Sequence, residues 1–579
     1  MKEYGPFDCD VWAGGPYAGV GEFLQIVVAE LLGRAPELVE RHAVELVSAV
    51  PGLAPVLPAS AAAALDQSAD VQIRFHPAAR TRALAFGLAE LVRAWTACEP
   101  ATVAFDNTDR ADGTVVELLD ALRHVPGLTL TAGTTTPTEP DRDPATLRAT
   151  LGSCIARGFY DHGRRVATLG RGGDEAVDDL ALWWAFTTGL ATCLTALGDP
   201  ATARDLYLEV VAATDDPAIV MSASASLGVL HTRHLPADPS TAREWLERAM
   251  AIAAGLPEPR RTILSVFHGQ GLALLNSKAG DHDRALRTID DGLAALDRVL
   301  AEGERRQDRA RLLHNRAQVH LALRRPDAAL SDLDAVIAMD PYNAEYYTDR
   351  AGLLRAAGRV EEAIADCTAA IRWHPHLPEA YYNRADLLQS AGEPEAALAD
   401  LDRVLAQDPA HVDALTNRSA LRYEQGDVDG AEADARAGLA AAPGDPHLLC
   451  ALGLVHTERG DLATADDLFT QALTARPDLT EALVNRATTR FDRGDIPSAI
   501  TDLTAALDLA DDPVTRYNRG HAHRELGDWR AAAADFTAAL SLDDRTDADF
   551  TAELRTALAE CATHASSTRP VPSTTRPCA

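Results

Sequence analysis

Residues 378–411 read PEAYYNRADLLQSAGEPEAALADLDRVLAQDPAH, and this stretch decides the fold. Apolar residues recur at three- and four-residue spacing on both sides of Gly392, as in two amphipathic helices joined by a tight turn. A side chain at Gly392 would hinder that turn. Pro409 then ends the second helix, because proline lacks the N–H that a helix interior needs. Ala385 and Ala397 stand where the two helices come closest.

Outward from this unit the same punctuation repeats. Pro341, Pro375, Pro409, Pro443 and Pro477 are spaced by 34 residues. Gly358, Gly392, Gly426, Gly460 and Gly494 keep step, as do Ala363, Ala397, Ala431, Ala465 and Ala499. With Pro378 as a first position, units begin at Ala310, Ala344, Pro378, Val412, Pro446 and Thr480, and one more at Pro513, a residue early. Weaker copies lie upstream, with Ala191, Gly198, Ala203 and Tyr207 in one, Ala242, Trp245 and Ala249 in another, and Ala273, Gly280 and Ala285 in a third. A single unit cannot bury its apolar face alone, so the units must stack into one continuous core.

This pattern resembles the tetratricopeptide repeat. The resemblance implies a mainly α fold, a right-handed α-solenoid, with regular repeats over residues 301–546 and divergent helical repeats over 146–300. Residues 547–562 read as a capping helix, and the Ser/Thr/Pro-rich residues 563–579 as a disordered tail.

Residues 1–145 read differently, as a small α/β domain preceding the solenoid. CDVWAGG, ATVAFD and LTLTAG are short apolar runs alternating with helical segments at Phe23–Leu32 and VVELLDALRH. The arrangement resembles the P-loop domain of signal-transduction ATPases with numerous domains. Gly14 and Gly19 have the P-loop spacing, and Asp106 ends the second apolar run. Val20 and Gly21 stand where the phosphate-binding Lys and the magnesium-binding Ser or Thr belong. The expectation is a degenerate domain with no cofactor.

Composition narrows the function. A hydrophobic share of 47% and a charged share of 24% fit an ordinary globular protein. The net charge of -32 argues against nucleic acid and anionic membrane partners, since both need clustered Lys and Arg. The eight cysteines are scattered, without a C-x-x-C pair, so neither a zinc site nor a disulfide framework is expected. No apolar run reaches membrane-spanning length, and the N-terminus lacks a signal-peptide pattern, so a cytoplasmic protein is expected. His231 and His234 have a helical metal-ligand spacing but no third ligand, and His374/His376 and His521/His523 are spaced too closely, so no metal is expected.

By the repeat resemblance, certain first-helix positions face a groove. They supply Glu379, Tyr382, Asp386, Asp413, Tyr423, Glu424, Phe491 and Asp492 as candidate partner-binding residues. Aromatic and acidic groups suit a basic or amphipathic peptide. Asn383, Asn417 and Asn485 match the asparagine of carboxylate-binding family members, but Glu379, Asp413 and Glu481 stand in place of the expected cations. The function expected is a protein-interaction scaffold without catalysis. The alternatives are a nucleotide-responsive switch and an enzyme that uses the groove as a pocket for a small molecule.

The repeats also serve as their own alignment. Position seven carries Arg316, Arg350, Arg384, Arg418, Arg486 and Arg519, and position twenty-three carries Asp332, Asp366, Asp400, Asp434, Asp502 and Asp535. The unit starting at Pro446 has Leu452 and Leu468 instead. Both members change together, which predicts an Arg–Asp pair between the two helices of each repeat.

Overall fold

The computed structural model describes residues 2–57, 77–173, 179–236, 238–301, 304–542 and 548–567. The chain divides into two compact units, Met1–Leu387 and Leu388–Ala579.

The first unit opens with a three-stranded parallel sheet in the order β1 (Lys2–Asp8), β2 (Ala101–Asp106), β3 (Leu128–Gly133). Tyr4 lies opposite Val103, and Val103 opposite Leu130. Helices Val20–Leu32, Pro77–Thr96 and Gly113–Arg123 surround the sheet. Phe7, Phe23, Trp95 and Phe105 meet in its core with tilted and edge-on rings.

The second and third strands fall on the expected runs, but the first does not. CDVWAGG holds no strand; Val11–Gly14 is a single helical turn capped by Asp10, and β1 precedes it. The strand KEYGPFD buries only Phe7 fully and sits at a sheet edge, so it lacks the apolar run of a central strand. Gly19 starts the following helix with a φ of +66°, and a Cβ there would come within 2.6 Å of the Asp8 carbonyl oxygen.

Helix pairs follow. Within the first unit, Pro144–Arg157 and Tyr160–Arg171 lead into Leu180–Ala196/Pro200–Ala213, Pro217–Arg233/Pro239–Ala253 and Arg260–Lys278/His282–Val299. The regular pairs then run Arg306–Ala322/Pro326–Met339 and Ala344–Ala356/Val360–Trp373. In the second unit the pairs are Val412–Glu424/Val428–Ala441, Pro446–Glu458/Leu462–Ala475, Thr480–Asp492/Ile496–Leu509 and Pro513–Glu525/Trp529–Leu542. The small residues Ala363, Ala397, Ala431, Ala465 and Ala499 are fully buried, as their spacing requires.

The turn glycines take left-handed backbone, from +73° at Gly358 to +82° at Gly494. Arg324 occupies the same turn one repeat earlier and takes a φ of +56° without the freedom of glycine. Asp427, Asp461 and Asp495 cap the second helices by accepting backbone N–H bonds.

The closing helix is Ala548–Ser567, longer than the sequence reading, and buries Leu554, Ala557 and Cys561 against Phe536 and Ala539. The remainder of the expected tail, 568–579, lies outside the described residues. Among the described residues no helix is long and apolar enough to cross a membrane.

Candidate partner-binding face

Position seven of each repeat sets the electrostatics of the solenoid. Arg316, Arg350, Arg418, Arg486 and Arg519 each hold their Asp by two parallel bonds, of 2.9 and 2.6 Å for Arg316–Asp332 and 2.7 and 2.7 Å for Arg350–Asp366. The members of the sixth pair, Arg384 and Asp400, belong to different units. The five Asp side chains are only 5–7% exposed. The hydrogen bonds that Arg350 donates to Asp366, and the carboxylate charge beside them, hold its guanidinium well above its usual range despite burial.

The sequence reading missed a third contact. The same arginine also reaches back to the preceding repeat, to Asp334 from Arg350 at 2.6 Å, to Thr368 from Arg384 at 3.1 Å and to Thr470 from Arg486 at 3.1 Å. Each arginine therefore ties two repeats together. The signal was available, because Arg436 stands at this place just before the exceptional Leu452. An arginine at position 452 would face Arg436 where Arg418 faces Asp402.

These arginines are consumed by the scaffold, and that decides what the first helices offer a partner. In the second unit Arg422, Arg459, Arg490, Arg493, Arg516 and Arg524 are paired with carboxylates as well. Asp413, Glu424, Glu458 and Asp492 are exposed and have no ion pair among the described residues. Burial first, and then the Glu458 charge of the next repeat, raise the Tyr423 phenol. Likewise Tyr517 donates to Glu553 at 3.3 Å and Arg524 to Glu560 at 2.9 Å, one repeat onward.

Not every candidate serves equally. Phe491 is half-buried and packs on Ala487, Ala499 and Leu503, so much of its ring belongs to the core. Asp386, in the first unit, is bonded by Arg355 at 2.6 Å and so is already neutralised. Glu379 is exposed and Tyr382 half-buried on the same helix, Pro378–Ser390. Elsewhere in the first unit Trp184, Ile219, Met221, Ile263, Leu264 and Leu300 line an open depression of about 840 Å³, which no motif had indicated.

At the N-terminal sheet, the strand ends carry carboxylates. Asp10 is fully buried and accepts from Arg110 Nε at 2.8 Å and from the Thr138 amide at 2.9 Å. Asn107, at the end of β2, donates to Asp8 at 2.8 Å. Gly19 lies against the Asp8 carbonyl, and the Asp106 side chain lies against Gly133.

Six of the seven described cysteines are buried, and burial pushes the thiols of Cys9, Cys154, Cys193 and Cys450 up to about 12. They are inert packing groups. His231 and His234 gain no third ligand among the described residues. His376, set aside for its spacing from His374, packs instead against His42 and Glu45.

A family model described as tetratricopeptide repeat matches residues 314–378, 382–446, 450–513 and 517–567. A second of the same description matches residues 184–209. No curated protein sequence matches the chain. Among solved structures, a tetratricopeptide repeat protein from Parabacteroides merdae is 21% identical, covering 44% of this chain and 99% of its own, with a TM-score of 0.38. A thermophilic repeat protein of Thermus thermophilus is 22% identical, covering 32% of this chain and 100% of its own, with a TM-score of 0.29. PilF of Pseudomonas aeruginosa is 17% identical, covering 37% of this chain and 96% of its own, with a TM-score of 0.33. The helix pairs, their period and the matched residues together establish that the chain carries a tetratricopeptide-repeat solenoid behind a small parallel-sheet region.

Proposed function

We propose that the protein is a cytosolic interaction scaffold that holds a basic segment of a partner protein along the first helices of its second unit. The observation that carries this reading is the imbalance of free charge. The arginines there are spent on internal carboxylates, while Asp413, Glu424, Glu458 and Asp492 are exposed and unspent. Such a face attracts Lys- and Arg-rich chains and repels phosphate backbones. Tyr423 adds apolar area beside the charges.

A Lys/Arg-rich probe peptide is expected to bind the full chain, with affinity falling steeply as salt rises. Reversing Asp413, Glu424 and Asp492 to Lys together should weaken it at least about tenfold at low salt. Fluorescence anisotropy across a salt series checks both. Salt-insensitive binding, or binding unchanged in the triple variant, overturns the reading.

The N-terminal sheet region fits a degenerate P-loop domain kept as a folded cap. Val20 and Gly21 replace the Lys and hydroxyl that ATP and magnesium need. Neighbouring Asp8 adds like charge against a phosphate. Millimolar ATP with magnesium should therefore leave the melting temperature unchanged, since a ligand that does not bind cannot stabilise. A clear upward shift would favour the nucleotide-responsive switch instead.

A further inference from the structure

His42 immediately precedes the helix Ala43–Ala49, with no capping bond from its side chain, and Glu45 lies on its first turn. His376 lies far along the chain, between helices Val360–Trp373 and Pro378–Ser390. The fold brings the three together inside the first unit, with 3%, 3% and 2% exposure. Their potential ligand atoms all lie within 4.8 Å of one another. His376 Nε2 is 3.1 Å from Glu45 Oε1. The two imidazoles lie nearly parallel, their centroids 5.6 Å apart.

Two further observations point to a ligand. Glu45 Oε2 is buried and has no hydrogen-bond partner among the described residues. An oxygen left so is costly unless a cation or donor meets it. The fold also lets His376 and Glu45 approach a neighbouring helix closely. Gly87, on the helix Pro77–Thr96, faces them without a side chain, and a Cβ there would come within 2.6 Å of His376 Nε2 and 3.0 Å of Glu45 Cγ. Glu90, one turn further, adds negative potential at Glu45.

We propose that His42, Glu45 and His376 bind a single zinc-class divalent cation, which fastens the N-terminal sheet region to the repeat array within the first unit. Two imidazoles and a carboxylate are a zinc-type donor set. Bond lengths near 2.1 Å place tetrahedral ligands about 3.4 Å apart, so ligand atoms now up to 4.8 Å apart must close by up to about 1.4 Å, and one of the stacked imidazoles must turn to aim its ring plane at the shared ion. Burial of all three makes the site structural, with the fourth place open to water or to Glu90. The competing arrangement is a proton shared between Glu45 and His376. Burial pushes the Glu45 carboxyl up to about 8, so the group is readily neutral when no cation is present.

The test uses the full chain, stripped with chelator and dialysed against Zn2+ alone, with bound metal measured by mass spectrometry. One ion per chain and a raised melting temperature are expected. His376→Ala and Glu45→Gln should each weaken binding at least about a hundredfold. The exposed His124→Ala variant should bind as the parent does. Should the core variants misfold, the parent loaded with Co2+ provides a second reading, as tetrahedral N/O coordination gives intense visible absorption. No stoichiometric uptake, an octahedral solution-like Co2+ spectrum, or full uptake by folded His376→Ala overturns the site in favour of the shared proton.

Discussion

Asp366→Ala should lower the stability of its repeat by about 3 kcal/mol, while Arg350→Leu combined with Asp366→Leu should cost less than half of that. Exposure decides which regime applies. An exposed ion pair contributes about 0–1 kcal/mol, whereas removing one half of a buried pair costs about 3–5 kcal/mol. The Asp366 side chain is 7% exposed and Arg350 is 23% exposed, so this end of the interaction is desolvated. Asp334, on the other side of Arg350, is 63% exposed and belongs to the weak regime. Removing Asp366 therefore strands a half-buried guanidinium with one exposed partner. Removing both members strands nothing, and the chain already contains the outcome at Leu452 and Leu468. Leu452 is buried, and Leu468 packs on the core around Cys450 and Phe469. Hydrogen exchange in Val360–Trp373, alongside urea unfolding, locates the loss, because a solenoid need not unfold in one step. A cost below about 1 kcal/mol for Asp366→Ala would place the pair in the exposed regime and remove it as a register device.

Much of this architecture was legible because the repeats make their own comparison. Seven copies in phase expose which positions must be small, turning or proline, and each such demand has one physical cause. The Arg–Asp pairing was legible for the same reason, since both members changed in one repeat. The link to the preceding repeat was also encoded, in Asp334, Asp402, Thr470 and the odd Arg436, but its residue type varies between carboxylate and hydroxyl, so no single pattern marks it. Single-copy features were harder to read. The strand Lys2–Asp8 lies at a sheet edge with one fully buried side chain, so no apolar run marked it. His42, Glu45 and His376 meet across more than three hundred residues, and only folding brings them together. On the partner-facing side, sequence marked which residues lie on first helices. It could not say that Asp386 is already neutralised by Arg355 or that Phe491 is largely core.

One more coupled pair emerges only with side chains in place, and it yields the second large effect. Gly520→Ala should destabilise the last repeat by about 1–3 kcal/mol, and adding Phe536→Leu should restore most of it. A Cβ at Gly520 would come within 2.6 Å of the Phe536 ring. That ring is fully buried among Ala532, Ala539, Leu554 and Cys561, with Tyr517 and His521 against it, so it has little room to retreat. Alanine in a helix gains about 1 kcal/mol over glycine in backbone propensity, which the clash must exceed. Two other repeats show the compensated form: Ala487 stands with Leu503, and Ala317 with Leu333, at these two positions. Gly453 with Phe469 repeats the glycine–phenylalanine combination, again with 2.6 Å from a built Cβ to the ring. Phe536→Leu alone should cost about 1–2 kcal/mol by leaving space beneath Gly520. Chemical unfolding of the parent, both single variants and the double variant completes the cycle. Additive costs, with the double variant as poor as the sum of the singles, would mean that the two positions do not share one volume and that glycine at 520 serves the backbone instead.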